Sequence, residues 1–380
     1  MALEDDEEIE MLRRTVRGFV VQSLRRHEAD VDAADEIPAD LIKGLRQEAV
    51  KLGLFGYNMP VELNGPGLSR RAICAVDEEM GHTSMPLAEA AGHLPGSLVF
   101  CNDEQRKTIV GPLMRGETSI AYALTEPDAG SDLGGINTRA ERRGNGWLLE
   151  GTKHYISHAE TAEHTIVLAV TDRSASLRSR FSTFIVPRSW SGFKVGRRFR
   201  KMGWRGYPLS ELTFAECELQ DSHLLGAPGD GFRVIMATVN NDRLFVGCRC
   251  VGMAQEMMDQ VLPWLKERKT FGARLGDHQA IQMMLADCDV ELQAGRLLCR
   301  AAADMADRAD PEYRIAASRA KLYCSEMAGR VADRVLQMFG GAGFMTDLPI
   351  ERFYRDVRGF RIGEGTSEMQ RLQIARHVLE

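Results

Sequence analysis

The spacing of apolar residues changes twice along the 380-residue chain. Residues 1–119 show mainly the helical period, residues 120–228 form short β-branched runs separated by turn residues, and residues 229–380 return to the helical period. This order of helices, strands and helices lacks the strand–helix alternation of a parallel α/β sheet. We therefore predict three domains with these bounds: an N-terminal helical domain, a middle β domain and a C-terminal helical domain.

Local signals support this assignment in each block. Leu12, Val16 and Phe19 repeat at helical spacing and mark one buried face. Asn145-Gly146 stands between two short strand-like runs, which predicts a hairpin with these two residues as its turn. In the third block, glycines from position 340 end a long helical pattern, and a last helix is expected to follow.

Composition argues against several classes of function. The net charge of −6 provides no basic surface for nucleic acid, and no apolar run approaches the roughly 18 residues of a membrane-spanning helix. The N-terminal sequence is acidic, unlike a secretory or transit peptide, so we expect a cytoplasmic protein. The eight cysteines contain no C-x-x-C pair, and we predict reduced thiols in the core rather than a metal site or disulfides.

Four segments contain residues suited to binding or catalysis, although each alone also fits an ordinary turn, strand or helix end. The first, residues 122–132, lies where the helical block meets the β block. Thr125 and Ser131 offer hydroxyls there, and Gly130 allows a ligand to approach the backbone closely. Successive N–H groups in such a loop can hold a pyrophosphate or the edge of a flavin ring.

Two further segments suit a planar, phosphate-bearing ligand. At the end of a predicted strand, Tyr155 can stack on a ring and Ser157 can hydrogen-bond to its edge. Residues 267–272, followed by Gln279, combine clustered cations with an aromatic side chain.

The fourth segment places Glu364 between Gly363 and Gly365, just before a predicted helix. A carboxylate on a backbone that allows close approach is well placed to abstract a proton. The same sequence also fits a helix start in which Thr366 or Ser367 caps the helix and the glutamate is solvated.

Together and in this order, the four segments resemble the acyl-CoA dehydrogenase family of flavoproteins, and the resemblance covers nearly the whole chain. Further matching stretches are Lys201–Arg205, Leu225–Phe232, Gln337–Phe344 and Arg371–Arg376. The resemblance implies an α-helical N-domain, a middle β-barrel-like domain and a C-terminal four-helix bundle. It also implies FAD between the middle and C-terminal domains.

The resemblance further implies which residues bind FAD. Within one chain these are Tyr122, Leu124, Thr125, Gly130, Ser131, Tyr155, Ser157, Thr366 and Glu368. The part that binds the FAD of a neighbouring subunit resembles Arg268, Thr270, Phe271, Gln279, Gln337 and Gly341. A shared site of this kind implies a homotetramer, or at least a dimer.

The implied reaction is α,β-dehydrogenation of an acyl-CoA thioester. Glu364 corresponds to the base that removes the α-proton while the β-hydrogen leaves as hydride to flavin N5. The resemblance places Ser131, Asn240, Asp242, Arg243 and Gly365 near the substrate. Some branches of the family place the catalytic carboxylate at the position of Asp242. We favour Glu364 because its Glu-Gly-Thr context is intact and because aspartate has a shorter reach.

Three departures from the family pattern bear on specificity. Gly363 replaces a common tyrosine, which suggests a bulkier, branched or cyclic acyl group. Tyr155 and Ser157 replace a tryptophan and a threonine. These changes leave two electron acceptors open: an electron-transfer flavoprotein, which we favour, or O2 as in oxidase-like relatives. A non-catalytic homologue that binds acyl-CoA and flavin is the alternative from another functional class.

Overall fold

A computed structural model describes residues 6–380, and the predicted order of helices, strands and helices is confirmed. The first block consists of α1 (Asp6–Phe19), α2 (Glu28–Ala34), α3 (Ala39–Lys51), α4 (Arg70–Met80), α5 (Met85–Ala88), α6 (Asp103–Gln105) and α7 (Gly111–Met114). A π-helical turn, Val20–Leu24, extends α1. The start of α6 is a capping box between Asn102 and Gln105.

Helix α4 connects the first block to the rest of the molecule. Ser69 caps its start by accepting from the backbone N–H of Ala72 at 3.1 Å. The helix is buried from Ala72 to Met80 because it packs against the C-terminal block as well as against its own. At its end Gly81 lies so close to Gly252 that a Cβ on Gly81 would stand 2.8 Å from the Gly252 Cα. This small-residue crossing brings the two helical blocks together around the site described below.

The middle block is one eight-stranded sheet. Its strands are β1 (Ile120–Ala123), β2 (Arg139–Arg143), β3 (Gly146–Ser157), β4 (His164–Val170), β5 (Phe181–Pro187), β6 (Phe193–Arg198), β7 (Leu209–Gln220) and β8 (Leu224–Leu225). They lie in the order β6, β7, β3, β2, β4, β5, β8, with β1 parallel to β4. The pairs β2–β3, β3–β7 and β4–β5 are antiparallel. Both β3 and β7 run for 12 residues and carry part of the site at their ends.

The hairpin between β2 and β3 forms as predicted, but its turn is shifted by one residue. Arg143 pairs with Gly146, so the two-residue turn consists of Gly144 and Asn145 rather than Asn145 and Gly146. Gly144 supplies the positive φ of 55°. Gly146 is the first residue of β3 and pairs with Gln220 on β7, where a Cβ would stand 2.4 Å from the carbonyl oxygen of Leu219.

The third block is built on three long helices. Its elements are α8 (Gly231–Glu267), β9 (Lys269–Thr270), β10 (Ala273–Arg274), α9 (Gln279–Asp307), α10 (Tyr313–Phe339), α11 (Gly341–Phe344), α12 (Ile350–Gly359) and α13 (Ser367–Leu379). Helices α8, α9 and α10 pack against one another, and α13 packs against α10. The helix ends predicted at Gly340 and Ser367 are confirmed.

The core contains the eight cysteines, all of which are buried free thiols as predicted. Cys299 and Cys324 face each other across α9 and α10 with their sulfur atoms 3.6 Å apart. Within residues 6–380, no helix combines the length and apolar character needed to cross a membrane.

Candidate active site

The predicted base lies on a short loop between α12 and α13. Glu364 has a φ of 53° and Gly365 a φ of 85°, so two successive residues adopt the left-handed conformation. This conformation is costly for a non-glycine residue and persists only where surrounding contacts enforce it. Thr366 then caps α13 by accepting from the backbone N–H of Met369 at 3.3 Å. The loop therefore both starts a helix, through the cap at Thr366, and exposes the carboxylate of Glu364.

Two buried side chains hold this loop in place. Lys321, fully buried on α10, donates from Nζ to the carbonyl oxygen of Gly365 at 2.7 Å. Gln370, also fully buried, donates to the same oxygen at 3.0 Å. Removal from water, more than the nearby charges, lowers the pKa of the Lys321 ammonium to about 8. These hydrogen bonds fix the direction of the Glu364 backbone.

Glu364 lies in a recess that it shares with Asp242, Arg243 and Lys321, whose charges act on its carboxyl. Its side chain is exposed to solvent in the single chain, although neighbouring protein groups remove part of its hydration. Desolvation is the main cause that raises the pKa of this carboxyl to about 8, and the negative charge of Asp242 raises it further. The opposing charges are those of Lys321 and Arg243. A carboxyl with such a pKa is suited to accepting a proton near neutrality.

Helix α8 contributes the predicted substrate-side residues. Asp242 is half-buried, and burial raises its pKa to about 7. Arg243 is buried and donates from Nη1 to the Ser318 hydroxyl at 3.3 Å. The carbonyl oxygen of Asn240 accepts from the Tyr313 hydroxyl at 3.4 Å. Asp242 and Arg243 are both within electrostatic reach of Glu364, so the structure brings these candidates together.

The loop 122–132 is fastened to β3 by a buried ion pair. Lys153, fully buried, donates from Nζ to Glu126 Oε1 at 2.8 Å and to the carbonyl oxygen of Leu124 at 3.0 Å. Glu126 also accepts from the backbone N–H groups of Asn137 and Thr138 at 2.7 and 2.9 Å. This pair holds the loop in a single position beside the sheet.

Five predicted cofactor residues lie in this segment, Tyr122 on β1 and the other four on the loop that follows it. The Tyr122 hydroxyl donates to the carbonyl oxygen of Ile235 at 3.1 Å, and its pKa is raised by burial and by the charges of Asp242 and Glu364. Leu124 and Thr125 are half-exposed, whereas Gly130 and Ser131 are exposed. The loop therefore starts beside the acidic recess and ends at an open surface.

Tyr155 and Ser157 lie where β3 bulges away from β7. The register of the two strands shifts between Lys153 and Ile156, and Tyr155 takes up a φ of 59°. The backbone N–H of His154 donates to the carbonyl oxygen of Thr125 at 2.8 Å. The bulge leaves the Tyr155 ring 56% exposed. Within the chain the ring packs on Phe199, 4.7 Å away between ring centroids.

Two further cofactor candidates follow the base loop. Thr366 caps α13, and Glu368 is exposed in its first turn.

The remaining cofactor candidates lie at the far end of α8. There the Arg268 guanidinium lies over the Trp264 ring, 5.8 Å from its centroid, and Trp264 packs on Phe339 at 5.4 Å. This contact joins the segments 268–279 and 337–341. The Thr270 hydroxyl lies 3.0 Å from Nε2 of His278, while the exposed members are Arg268, Phe271, Gln279, Gln337 and Gly341.

This second cluster is far from Glu364 in the same chain. Arg243 and Glu267 are separated by 24 residues of α8, which is about 36 Å along the helix axis. The predicted cofactor residues therefore form two groups, one around the recess and one at the end of the long helices.

Comparisons with known proteins agree with this arrangement. Family models match as "Acyl-CoA dehydrogenase, N-terminal domain" over residues 6–117, "middle domain" over residues 121–217 and "C-terminal domain" over residues 229–379. This chain belongs to the acyl-CoA dehydrogenase family. The family consists of flavin-dependent oxidoreductases, so the predicted fold class and enzyme class are confirmed.

Three members illustrate the similarity. The chain is 34% identical to probable acyl-CoA dehydrogenase FadE25 of Mycobacterium leprae, covering 98% of this chain and 96% of the relative. It is 35% identical to a 3-(aryl)acrylate reductase of Clostridium sporogenes, covering 98% and 99%. The solved butyryl-CoA dehydrogenase of Megasphaera elsdenii superposes with a TM-score of 0.91 at 27% identity and full coverage of both chains.

Glu89, His93, Tyr207 and Lys321 are among the residues around the site that were not predicted from the sequence. Tyr207 comes from the segment before β7, its ring lies 4.4 Å from the His158 ring between centroids, and its hydroxyl is within electrostatic reach of Glu89, Asp242 and Glu364. His93 contacts Asp242, and Lys321 holds the base loop. The available signal was a charged or polar residue inside an apolar stretch, as at Glu89, His93 and Lys321.

Proposed function

We propose that this chain binds FAD and oxidises an acyl-CoA thioester between its α and β carbons, with Glu364 as the base. The observation that carries the proposal is the carboxyl of Glu364, held in a recess on a fixed left-handed loop with a pKa raised to about 8. A yellow preparation that an acyl-CoA bleaches under anaerobic conditions would support the proposal. A flavin-loaded protein that no acyl-CoA bleaches would contradict it.

The chain's own groups account for proton removal. Glu364 accepts the α-proton, and the thioester oxygen then gains negative charge that needs a donor. The backbone N–H of Glu364 donates to no acceptor among residues 6–380. We assign it to that oxygen, because the bonds from Lys321 and Gln370 to Gly365 keep the loop from turning away.

The flavin side is assigned to the loop 122–132 and to the β3 bulge. Thr125 and Ser131 supply hydroxyls, and Tyr155 supplies a ring. The Lys153–Glu126 ion pair links the loop 122–132 to β3 and so fixes the two segments relative to each other. FAD bound there would supply the acceptor for the β-hydrogen, which leaves as hydride. Holding the acyl group between base and acceptor aligns the two breaking bonds.

The pH dependence of the reaction should report on the pair Glu364 and Asp242. Since Glu364 acts as a base, kcat/KM for flavin reduction should rise with pH through about 8. The negative charge of Asp242 contributes to this raised pKa, so Asp242→Asn should move the rise to lower pH. Anaerobic stopped-flow measurements with one acyl-CoA would give both profiles. A midpoint that stays in place or moves upward would argue against the coupling.

Gly363 bears on the shape of the acyl group. A Cβ at this position would meet only ordinary contacts, 3.7 Å from the Gly359 oxygen and 3.8 Å from the Trp204 ring. The Cβ of a tyrosine should therefore be tolerated, and we expect its ring to occupy space near the reacting carbons. We expect Gly363→Tyr to raise the ratio of kcat/KM for straight-chain over α-branched acyl-CoA by about tenfold. Gly363→Ala is the control, and an unchanged ratio in Gly363→Tyr would refute the idea.

The cluster at the end of α8 and α10 is proposed to complete the FAD site of a second subunit, in a homotetramer or a dimer. The Phe271 side chain is fully exposed, with a φ of 49°, on the hairpin formed by β9 and β10. Phe271→Asp should weaken assembly and flavin retention together. Sedimentation velocity would measure the assembly, with Leu177→Asp, an exposed leucine of the β block, as control. A wild-type monomer would contradict the proposal.

We propose that an electron-transfer flavoprotein accepts the electrons of the reduced enzyme. We also propose that the enzyme is located in the cytoplasm. Reoxidation by O2 is the alternative, and the open Tyr155 ring favours it because a more accessible flavin would be poorly shielded. Slow reoxidation in aerated buffer, accelerated by an added electron-transfer flavoprotein, would support the first acceptor. Rapid reoxidation in air alone would support the second.

A further inference from the structure

Three carboxyl groups around the recess have oxygens without a donor from the protein. They belong to Glu89, Asp242 and Glu364, and the Tyr207 hydroxyl is within electrostatic reach of all three. Among residues 6–380, no hydrogen bond reaches the carboxyl oxygens of Glu89 or Glu364, or Oδ2 of Asp242. None of the three residues is fully shielded from solvent. The recess thus presents acceptors that the fold itself leaves unpaired.

Asp242 is held in position by His93. Oδ1 of Asp242 lies 3.1 Å from Nε2 of His93, and Nδ1 of His93 lies 3.1 Å from the Tyr57 hydroxyl. The Tyr57 hydroxyl donates to Asp77, so its oxygen is assigned as the acceptor for Nδ1 of His93. One proton therefore lies between Nε2 of His93 and Oδ1 of Asp242. Whether the nitrogen or the oxygen carries this proton, Oδ2 of Asp242 remains an acceptor.

Buried side chains support His93. Its ring lies 4.1 Å from the Phe245 ring, centroid to centroid, and Tyr57 and Asp77 are fully buried behind it. The Asp77 carboxyl lies 3.9 Å from Nε of Arg249, a buried arginine on α8. A chain of polar groups thus runs from the core to the recess and ends at Asp242. Such a chain fixes the direction of the Asp242 carboxyl.

An entirely hydrocarbon acyl group would displace water from these acceptors and pair with none of them. Leaving buried acceptors unpaired is costly, and more so when they are charged. We propose, on the basis of the function proposed above, that Asp242, positioned by His93, selects acyl thioesters whose acyl group carries a hydrogen-bond donor, a hydroxyl or a protonated amine. Gly363, next to Glu364, has no side chain that would limit a branched or cyclic group.

Matched thioesters test this specificity with the full-length, flavin-loaded enzyme. The probes are cyclohexanecarbonyl-CoA and its trans-hydroxyl and trans-amino derivatives, substituted at ring carbon 3 or 4, with kcat/KM measured by anaerobic flavin bleaching. At least one donor-bearing ring should exceed the plain ring by about tenfold or more. Preference for the amine or for the hydroxyl identifies the donor. Equal or better use of the plain ring would overturn the inference while leaving the dehydrogenase proposal intact.

Variants separate specificity from damage to the fold. Asp242→Leu should bring the ratio of donor-bearing to plain ring close to one, because the oxygen that accepts from the donor is gone. His93→Leu should lower the ratio, and His93→Gln, which keeps a hydrogen-bonding group, should retain most of it. An unchanged ratio in Asp242→Leu, or loss of all bleaching in that variant despite bound flavin, would refute the role given to Asp242. If no thioester bleaches the wild type, the proposed function itself fails.

Discussion

Glu364→Gln is expected to bind acyl-CoA and to reduce its flavin about a thousandfold more slowly than the wild type. Glutamine keeps the size and polarity of the side chain but cannot accept the α-proton. The loop should survive the change, because its hydrogen bonds from Lys321 and Gln370 reach backbone oxygens and not the carboxyl group. Anaerobic stopped-flow would measure reduction, and the spectral shift on ligand addition would measure binding.

The matched control for this experiment is Asp242→Asn. Both carboxyls lie at the recess and both have raised pKa values, so either is chemically able to act as a base. If Glu364 is the base, Asp242→Asn should slow reduction much less than Glu364→Gln does. Normal reduction in Glu364→Gln together with loss in Asp242→Asn would move the role to Asp242. Normal reduction in both variants would leave neither carboxyl as the base.

Lys153→Met is expected to give the largest loss of stability among the predicted variants. It leaves Glu126 buried without its cation and removes the bond to the carbonyl oxygen of Leu124. Breaking a buried pair from one side typically costs about 3–5 kcal/mol in the free energy of unfolding. The loop 122–132 should also loosen, so flavin retention should fall. Urea unfolding and the flavin-to-protein absorbance ratio would measure the two effects.

Two comparisons identify the cause of that loss. The double variant Lys153→Met/Glu126→Gln removes both charges and should recover part of the stability. Arg14→Ala removes an exposed ion pair with Glu10, 3.4 Å long, and should change the free energy of unfolding by less than about 1 kcal/mol. An unfolding free energy for Lys153→Met within about 1 kcal/mol of the wild type would show that the buried pair is dispensable.

The order of elements was predictable because apolar periodicity is a local property of the sequence. Gly340 and Ser367 marked helix ends correctly for the same reason. The hairpin turn at residues 144–145 was misplaced by one residue because the local preference for Asn145-Gly146 gave way to close packing of Gly146 against β7. Local preference therefore identified the hairpin, and tertiary contact decided its register.

The candidate site was only partly predictable. Glu364 and the loop 122–132 stand in recognisable local sequences, whereas the set of Glu89, His93 and Tyr207 is assembled from distant parts of the chain. No spacing rule brings residues so far apart in sequence to one recess. The bulge that exposes Tyr155 likewise depends on its pairing with β7. These features arise from packing between the blocks, which sequence periodicity does not reveal.

The length of helix α8 determines how two inactive alleles of this enzyme should behave when they are expressed together. One chain carries Asp242 in the first third of this helix and Arg268 just past its last residue, so in the proposed assembly each FAD site draws on two chains. Glu364→Gln and Arg268→Glu chains would each be inactive alone, yet a mixed dimer would contain one site with both defects and one with neither. Co-expression of two dead alleles would thus restore up to half of the sites in each mixed dimer, and the enzyme would show complementation within a single gene.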